Sequence, residues 1–108
     1  MLVKSEFWVK AFLKQLSLQG RAGYVIRRGH ESAGEIIIKV NLPEGNCKLY
    51  RRHYEFDKDN YTWACFSEGK EEKVDESIKK QITFDPDSWI LEVDSLNQEN
   101  FSLDSGCP

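Results

Sequence analysis

The chain changes its hydrophobic period three times. In a helix expected from about Glu6 to Leu18, Phe7, Trp8, Val9, Ala11, Phe12, Leu13 and Leu16 stand at spacings that cover more than one stripe. Only Lys10, Lys14, Gln15 and Ser17 are left for water, so this helix is expected to be mostly buried, across a sheet or partly against another molecule. Ser5 is placed to cap its first turn and Gly20 to stop it. The period then falls to two. "GYVIRR" (23–28), "GEIIIKVN" (34–41), "CKLYRRHY" (47–54) and "YTWACFS" (61–67) read as strands, separated by "LPEGN" and "FDKDN" as turn and loop. In the second strand Ile36, Ile38 and Val40 share one face, with Glu35, Ile37, Lys39 and Asn41 on the other. A four-residue loop at "LPEGN" pairs Val40 with Leu49 and Lys39 with Tyr50. Helical spacing returns in "EGKEEKVDESIKKQI", where Val74, Ile78 and Ile82 form a narrow stripe. Pro86 ends it, because proline disfavours helix at the preceding Asp85. "SWILEVD" alternates into a fifth strand.

Short links between strands predict antiparallel neighbours, and the helix before the last strand allows one crossover. The expectation is an α+β domain over residues 1–95: one antiparallel-rich sheet of about five strands with both helices on one face, in the order α-β-β-β-β-α-β. Residues 96–108 form a polar tail. The stretch "RRGHESAGEIIIKV" is expected to be a strand–turn–strand unit, Gly29 and Gly34 permitting its bends. Arg27 and Arg28 are the residues on which a function of that unit would rest.

Charge adds what periodicity does not show. The net charge of −3 hides a division: residues 1–54 carry ten Lys and Arg against four acids, and residues 55–108 carry five Lys against fourteen acids. All five arginines, Arg21, Arg27, Arg28, Arg51 and Arg52, lie in the basic half. With the pairing above, Lys39, Lys48 and Arg52 share a face with Tyr50 and Tyr54, with Arg28 beside them. Arginines on phosphates and aromatics under bases are how single-stranded RNA is held. Against this, a nucleic-acid domain usually has a basic overall balance, and this chain has a pI near 5.4. An acidic protein partner fits better, and the acidic half of the chain could itself cover the face.

Catalytic candidates are thin. His30 stands beside Glu31 without an anchored nucleophile, and His53 is followed by Asp57 and Asp59, but "DKDNYT" fails the calcium-loop template at Tyr61 and Thr62. Asp85, Asp87, Glu92 and Asp94 flank the last strand, where Asp85-Pro86-Asp87 makes a good turn without any chemistry. The glycines match no phosphate-binding spacing. Three cysteines without a C-x-x-C pair suit neither a disulfide framework nor a zinc site. Cys47 and Cys65 are expected in the core and Cys107 exposed near the chain end. Trp8, Trp63 and Trp89 read as core. The amphipathic N-terminus is broken by Lys10 and Lys14, so a structural helix is expected there rather than a cleaved leader. No apolar run approaches the roughly 18 residues of a membrane span.

"KSEFWVKAFL", "RRGHESAGEIIIKVN" and "FDPDSWILEVD", in this order and at these separations, resemble domain of unknown function family 1491, found mainly in alphaproteobacteria. The likeness runs from Lys4 to Asp94 and is least over Glu55–Lys73 and after Ser95. It implies a bacterial, cytoplasmic, stand-alone α+β domain and brings no activity and no catalytic residues. Family members tend to carry an aspartate at the position of His30, which counts against a catalytic histidine. The expected function is a non-catalytic protein-interaction or accessory module, docking a protein partner or a second copy through a basic face of Arg27, Arg28, Lys39, Lys48, Tyr50 and Arg52 or through the excess apolar surface of the first helix, with no cofactor, metal or membrane. The alternatives are an RNA-binding accessory protein using Arg28, Lys39, Lys48, Tyr50 and Arg52, and a small enzyme around His30, His53 and the carboxylates.

Overall fold

The structure is a computed structural model that describes residues 4–94, with the Tyr61 side chain left out. The polar tail and Cys107 therefore lie outside the described residues. The elements are α1 (Ser5–Leu18), β1 (Gly23–Arg27), β2 (Ile36–Asn41), β3 (Asn46–Glu55), β4 (Asn60–Lys70), α2 (Glu71–Phe84) and β5 (Trp89–Asp94), with one 3-10 turn at Pro43–Gly45 between β2 and β3. Class and element order are those expected from the sequence. α1 buries Ser5, Trp8, Val9, Phe12 and Leu16. It ends on Gly20 at φ 72°, where the Gly20 and Arg21 amides donate to the carbonyls of Ser17 and Leu16. α2 stops at Phe84, with Asp85 extended before Pro86 as expected.

Ser5 does not cap α1. It is the helix's first residue, and its hydroxyl donates instead to the Gly34 carbonyl at 2.6 Å. The Ser5 and Glu6 amides, which have no partner within the helix, donate to the carbonyls of Ser32 and Glu31. The loop from 28 to 35 thus caps the helix with its backbone.

Strand order departs from expectation. The sheet runs β1-β5-β2-β3-β4, with β5 antiparallel to β1 and parallel to β2. β1 and β2 are therefore not a hairpin; the 28–35 loop passes over the entry of β5, which lies between them. Gly29 and Gly34 do not supply bends either, since neither has a positive φ. They allow a close crossing: a Cβ on either would lie 2.2 or 2.3 Å from the Asp87 carbonyl oxygen and within 2.9 Å of the Trp89 indole.

The helices also lie on opposite faces rather than one. α1 packs with Ile36, Ile38, Val40, Trp89, Leu91 and Val93. Val74 of α2, flanked by Ile78 and Ile82, packs with Ile37, Cys47, Leu49 and Ile90. The sheet is the middle layer, and its two central strands are buried on both faces.

Candidate functional site

Register decides which basic residues meet. β2 and β3 pair Ile38 with Tyr50, Lys39 with Leu49 and Val40 with Lys48. This differs by one residue from the expected pairing of Val40 with Leu49, because the 3-10 turn closed by the Leu42–Asn46 bond leaves a three-residue connection, Pro43–Gly45, in place of the expected four. Side chains alternate across a strand, so the shift moves Lys39 to the face opposite Lys48, Tyr50 and Arg52. The six residues proposed as a basic face fall into three groups.

Lys39 lies beneath α2. Its side chain is 7% exposed, and Nζ sits 2.7 Å from Glu71 Oε2 and 3.0 Å from Asp75 Oδ1. Burial lowers the ammonium's pKa; the hydrogen bonds and charges of the two carboxylates outweigh this and leave it raised. Arg51 shares this face, its Nε 2.7 Å from Glu35 and its Nη2 donating to Gln81 Oε1 at 2.7 Å. Buried Gln81 also donates to Glu35 and to the Ser88 hydroxyl, tying α2 to the sheet. Here the acidic half of the chain does cover and neutralise part of the basic half. Cys47 is buried on this face, and burial pushes its thiol up, away from the reactive thiolate. Cys65, expected in the core, is exposed.

On the other face, Lys48, Tyr50 and Arg52 of β3 alternate, and Arg52 pairs with Trp63 of β4. α1 lies over β5 and β2, so this half of the sheet runs past its flank. Lys48, Tyr50, Arg52 and Trp63 are all half-buried, with part of each in solvent. Trp63 packs against Trp8 at 5.5 Å between ring centroids, and the Arg52 guanidinium stands 5.1 Å over the Trp8 ring. Burial pushes the pKa of the Tyr50 phenol up. Trp8 Nε1, at the border of this surface, has no hydrogen-bond partner among the described residues. Trp63, read first as core, belongs to this surface; its place opposite Arg52 was not readable without the β3–β4 register.

Arg27 and Arg28 are on neither patch. Arg27 donates to the Pro86 carbonyl at 3.1 Å. Arg28 pairs with Glu6 at 2.8 Å and lies 5.2 Å over the Trp89 ring, and its guanidinium holds the Glu6 carboxyl below the ordinary carboxylate range. His30 completes this clamp. Its Nδ1 accepts the Ser32 and Ala33 amides, its carbonyl accepts the Trp89 indole N–H at 2.8 Å, and its amide donates to Asp87. An aspartate at this position would accept the same two amides, so the residue serves as a turn cap.

The remaining catalytic candidates do not converge on a reaction centre. His53 is exposed on β3, while Asp59 accepts from the Tyr54 hydroxyl. Asp85 caps the 85–88 turn through the Asp87 amide. Glu92 and Asp94 both accept from the Asn41 side-chain amide, at 2.6 and 2.9 Å. Among the described residues no group of three His, Cys, Asp or Glu side chains is placed to hold a metal ion. No helix of the described residues is long and apolar enough to cross a membrane.

A mixed five-stranded sheet between two helices, with no assembled catalytic constellation among the described residues, is the class of protein these observations define. The chain belongs to the DUF1491 family, described as a protein of unknown function, whose model matches residues 3–102. It is similar to a crystal structure of a DUF1491 family protein from Caulobacter crescentus, with 26% identity, 87% of this chain and 89% of that one covered, and a TM-score of 0.75. A solution structure of an Agrobacterium tumefaciens protein shares the fold at 23% identity, covering 90% and 89% of the two chains at a TM-score of 0.74. An NMR structure of a Caulobacter DUF1491 family protein has 27% identity, 86% coverage of each chain and a TM-score of 0.65. No curated protein matches the chain.

Proposed function

We propose that this protein is a cytoplasmic, non-catalytic interaction module that docks an acidic protein partner on the sheet surface formed by Lys48, Tyr50, Arg52 and Trp63. One observation carries the reading: two cations and two aromatics share a half-buried sheet face beside α1. Tyrosine, tryptophan and arginine are the residue types that dominate binding energy at protein interfaces. The odd cysteine count, with Cys47 and Cys65 both free thiols, supports the cytoplasmic location.

RNA is the competing occupant of this surface. With Lys39 on the opposite face and Arg28 held by Glu6, two of the four basic residues proposed for an RNA-binding sheet remain, Lys48 and Arg52, which weakens that reading. A photo-cross-linking side chain at Tyr50, in cells making the full chain, tests the two together. The expected product is a discrete protein adduct, lost when Lys48→Glu and Arg52→Glu are combined, and absent when the cross-linker replaces exposed Phe84 on α2. A nuclease-sensitive adduct, together with binding to mixed-sequence single-stranded RNA that weakens steeply with salt, would overturn the protein reading in favour of RNA.

A further inference from the structure

On β1, exposed apolar side chains and outward backbone hydrogen-bonding groups occur together. This is an edge strand with a neighbour on one side only among the described residues. Tyr24, Val25 and Ile26 are 53%, 44% and 54% exposed. An edge with three consecutive exposed apolar residues is a template for strand addition unless something blocks it. The Asp94 amide donates to the Ala22 carbonyl, and Tyr24 pairs with Glu92, so Ala22 and Tyr24 turn their backbone groups toward β5. Alternation then turns those of Gly23 and Val25 outward. A bulge between Val25 and Arg27 ends the regular ladder, which limits an added strand to a short stretch.

Charge selects among occupants. Arg21 precedes the strand, and Arg27 and Arg28 close it. Arg28 has Glu6, but Arg27 has no carboxylate within ion-pair distance among the described residues and bonds only a carbonyl. A second copy pairing symmetrically must run antiparallel. Centred on Val25, that arrangement places Arg27 of each copy against Gly23 of the other, so neither copy offers Arg27 a carboxylate. A strand with acidic ends supplies one.

We propose that the free edge of β1 docks an extended segment of another protein, with apolar residues at alternating positions between acidic ends. Main-chain bonds to Gly23 and Val25 hold the segment, its apolar side chains lie beside Val25 on one face of the sheet, and its acidic end meets Arg27. This surface is separate from the Lys48–Tyr50–Arg52 face, so either reading can fail alone.

The test uses the full chain labelled with nitrogen-15 and three synthetic seven-residue peptides: alternating valine and threonine with aspartate ends, the same with lysine ends, and the acid-ended peptide with a central proline. The acid-ended peptide is expected to shift the Gly23 and Val25 amide resonances and slow their hydrogen exchange at least tenfold at saturation. The lysine-ended and proline peptides are expected to bind at least tenfold more weakly. Val25→Pro removes an outward donor without touching the β5 ladder, and Arg27→Glu removes the charge selection; each is expected to weaken the acid-ended peptide at least tenfold. Equal binding of the acid- and lysine-ended peptides, or no response at β1, would overturn the proposal. So would protection of both amides without peptide. If it vanished on removing residues 95–108, the occupant would be this chain's own end; if it grew with protein concentration, a second copy.

Discussion

Lys39 offers the sharpest test of how α2 is held. The ammonium lies under the helix with a 7% exposed side chain, while its partners Glu71 and Asp75 keep 53% and 48% of theirs in solvent. The Glu71→Gln, Asp75→Asn double variant preserves shape and removes both negative charges, leaving a buried cation with neutral neighbours. Breaking a buried ion pair in this way costs about 3–5 kcal/mol. Because the carboxylates are half-exposed and partly screened, the lower end, about 3 kcal/mol, is expected here. Lys39→Met removes the ammonium and keeps the apolar stem; the two acids return to water, so a change within about 1 kcal/mol is expected. Urea denaturation at pH 7 followed by tryptophan fluorescence measures all three proteins.

The same pair fixes a pH signature. Lys39 has a folded-state pKa raised above its ordinary value of about 10.5. Its contribution is therefore complete below that value and is lost as pH rises through the higher folded-state pKa. The wild type is expected to lose stability above about pH 10.5 by an amount that Lys39→Met does not. If the double variant lies within about 0.5 kcal/mol of wild type, or Lys39→Met is the least stable of the set, the buried-charge reasoning is wrong.

The 28–35 loop gives three further tests. Gly29→Ala and Gly34→Ala each drive a Cβ into the Asp87 carbonyl and are expected to cost at least about 2 kcal/mol in chemical denaturation, whereas Gly20→Ala meets no atom within 4 Å and loses only the preference for positive φ, about 1 kcal/mol. His30→Ala, which strips the acceptor from two amides, is expected to cost about 1–2 kcal/mol, and His30→Asp to restore most of it; equal melting temperatures for the two would remove the capping role. Arg28→Ala is expected to raise the Glu6 pKa toward the ordinary carboxylate value, read by NMR titration of its side chain. Since Glu6 is depressed in the folded state, its pairing favours folding above the unfolded-state pKa and fades as pH falls through the lower one.

The sequence by itself determined the element types and their order. Period two against period three-to-four is a local property, and Gly20 and Pro86 act on their own backbone, so helix ends and strand runs follow without knowledge of neighbours. One global feature is also written there. Ile36–Ile38 and Trp89–Leu91 are unbroken apolar runs, every residue at most 2% exposed. Such runs belong to strands covered on both faces, so they point to a sheet between two helix layers rather than under one.

The tertiary structure decided the strand order, the register and hence the candidate surface. β5 enters between β1 and β2 because its two apolar faces need cover from both sides, a demand that no short-range link between β1 and β2 expresses. One residue of register sends Lys39 beneath the acids of α2 and leaves Lys48, Tyr50 and Arg52 beside Trp63. In a pleated sheet a shift of 3.3 Å along the strand exchanges inside for outside. Composition fixes how many cations the chain carries, but only the packed register fixes which face each one shows.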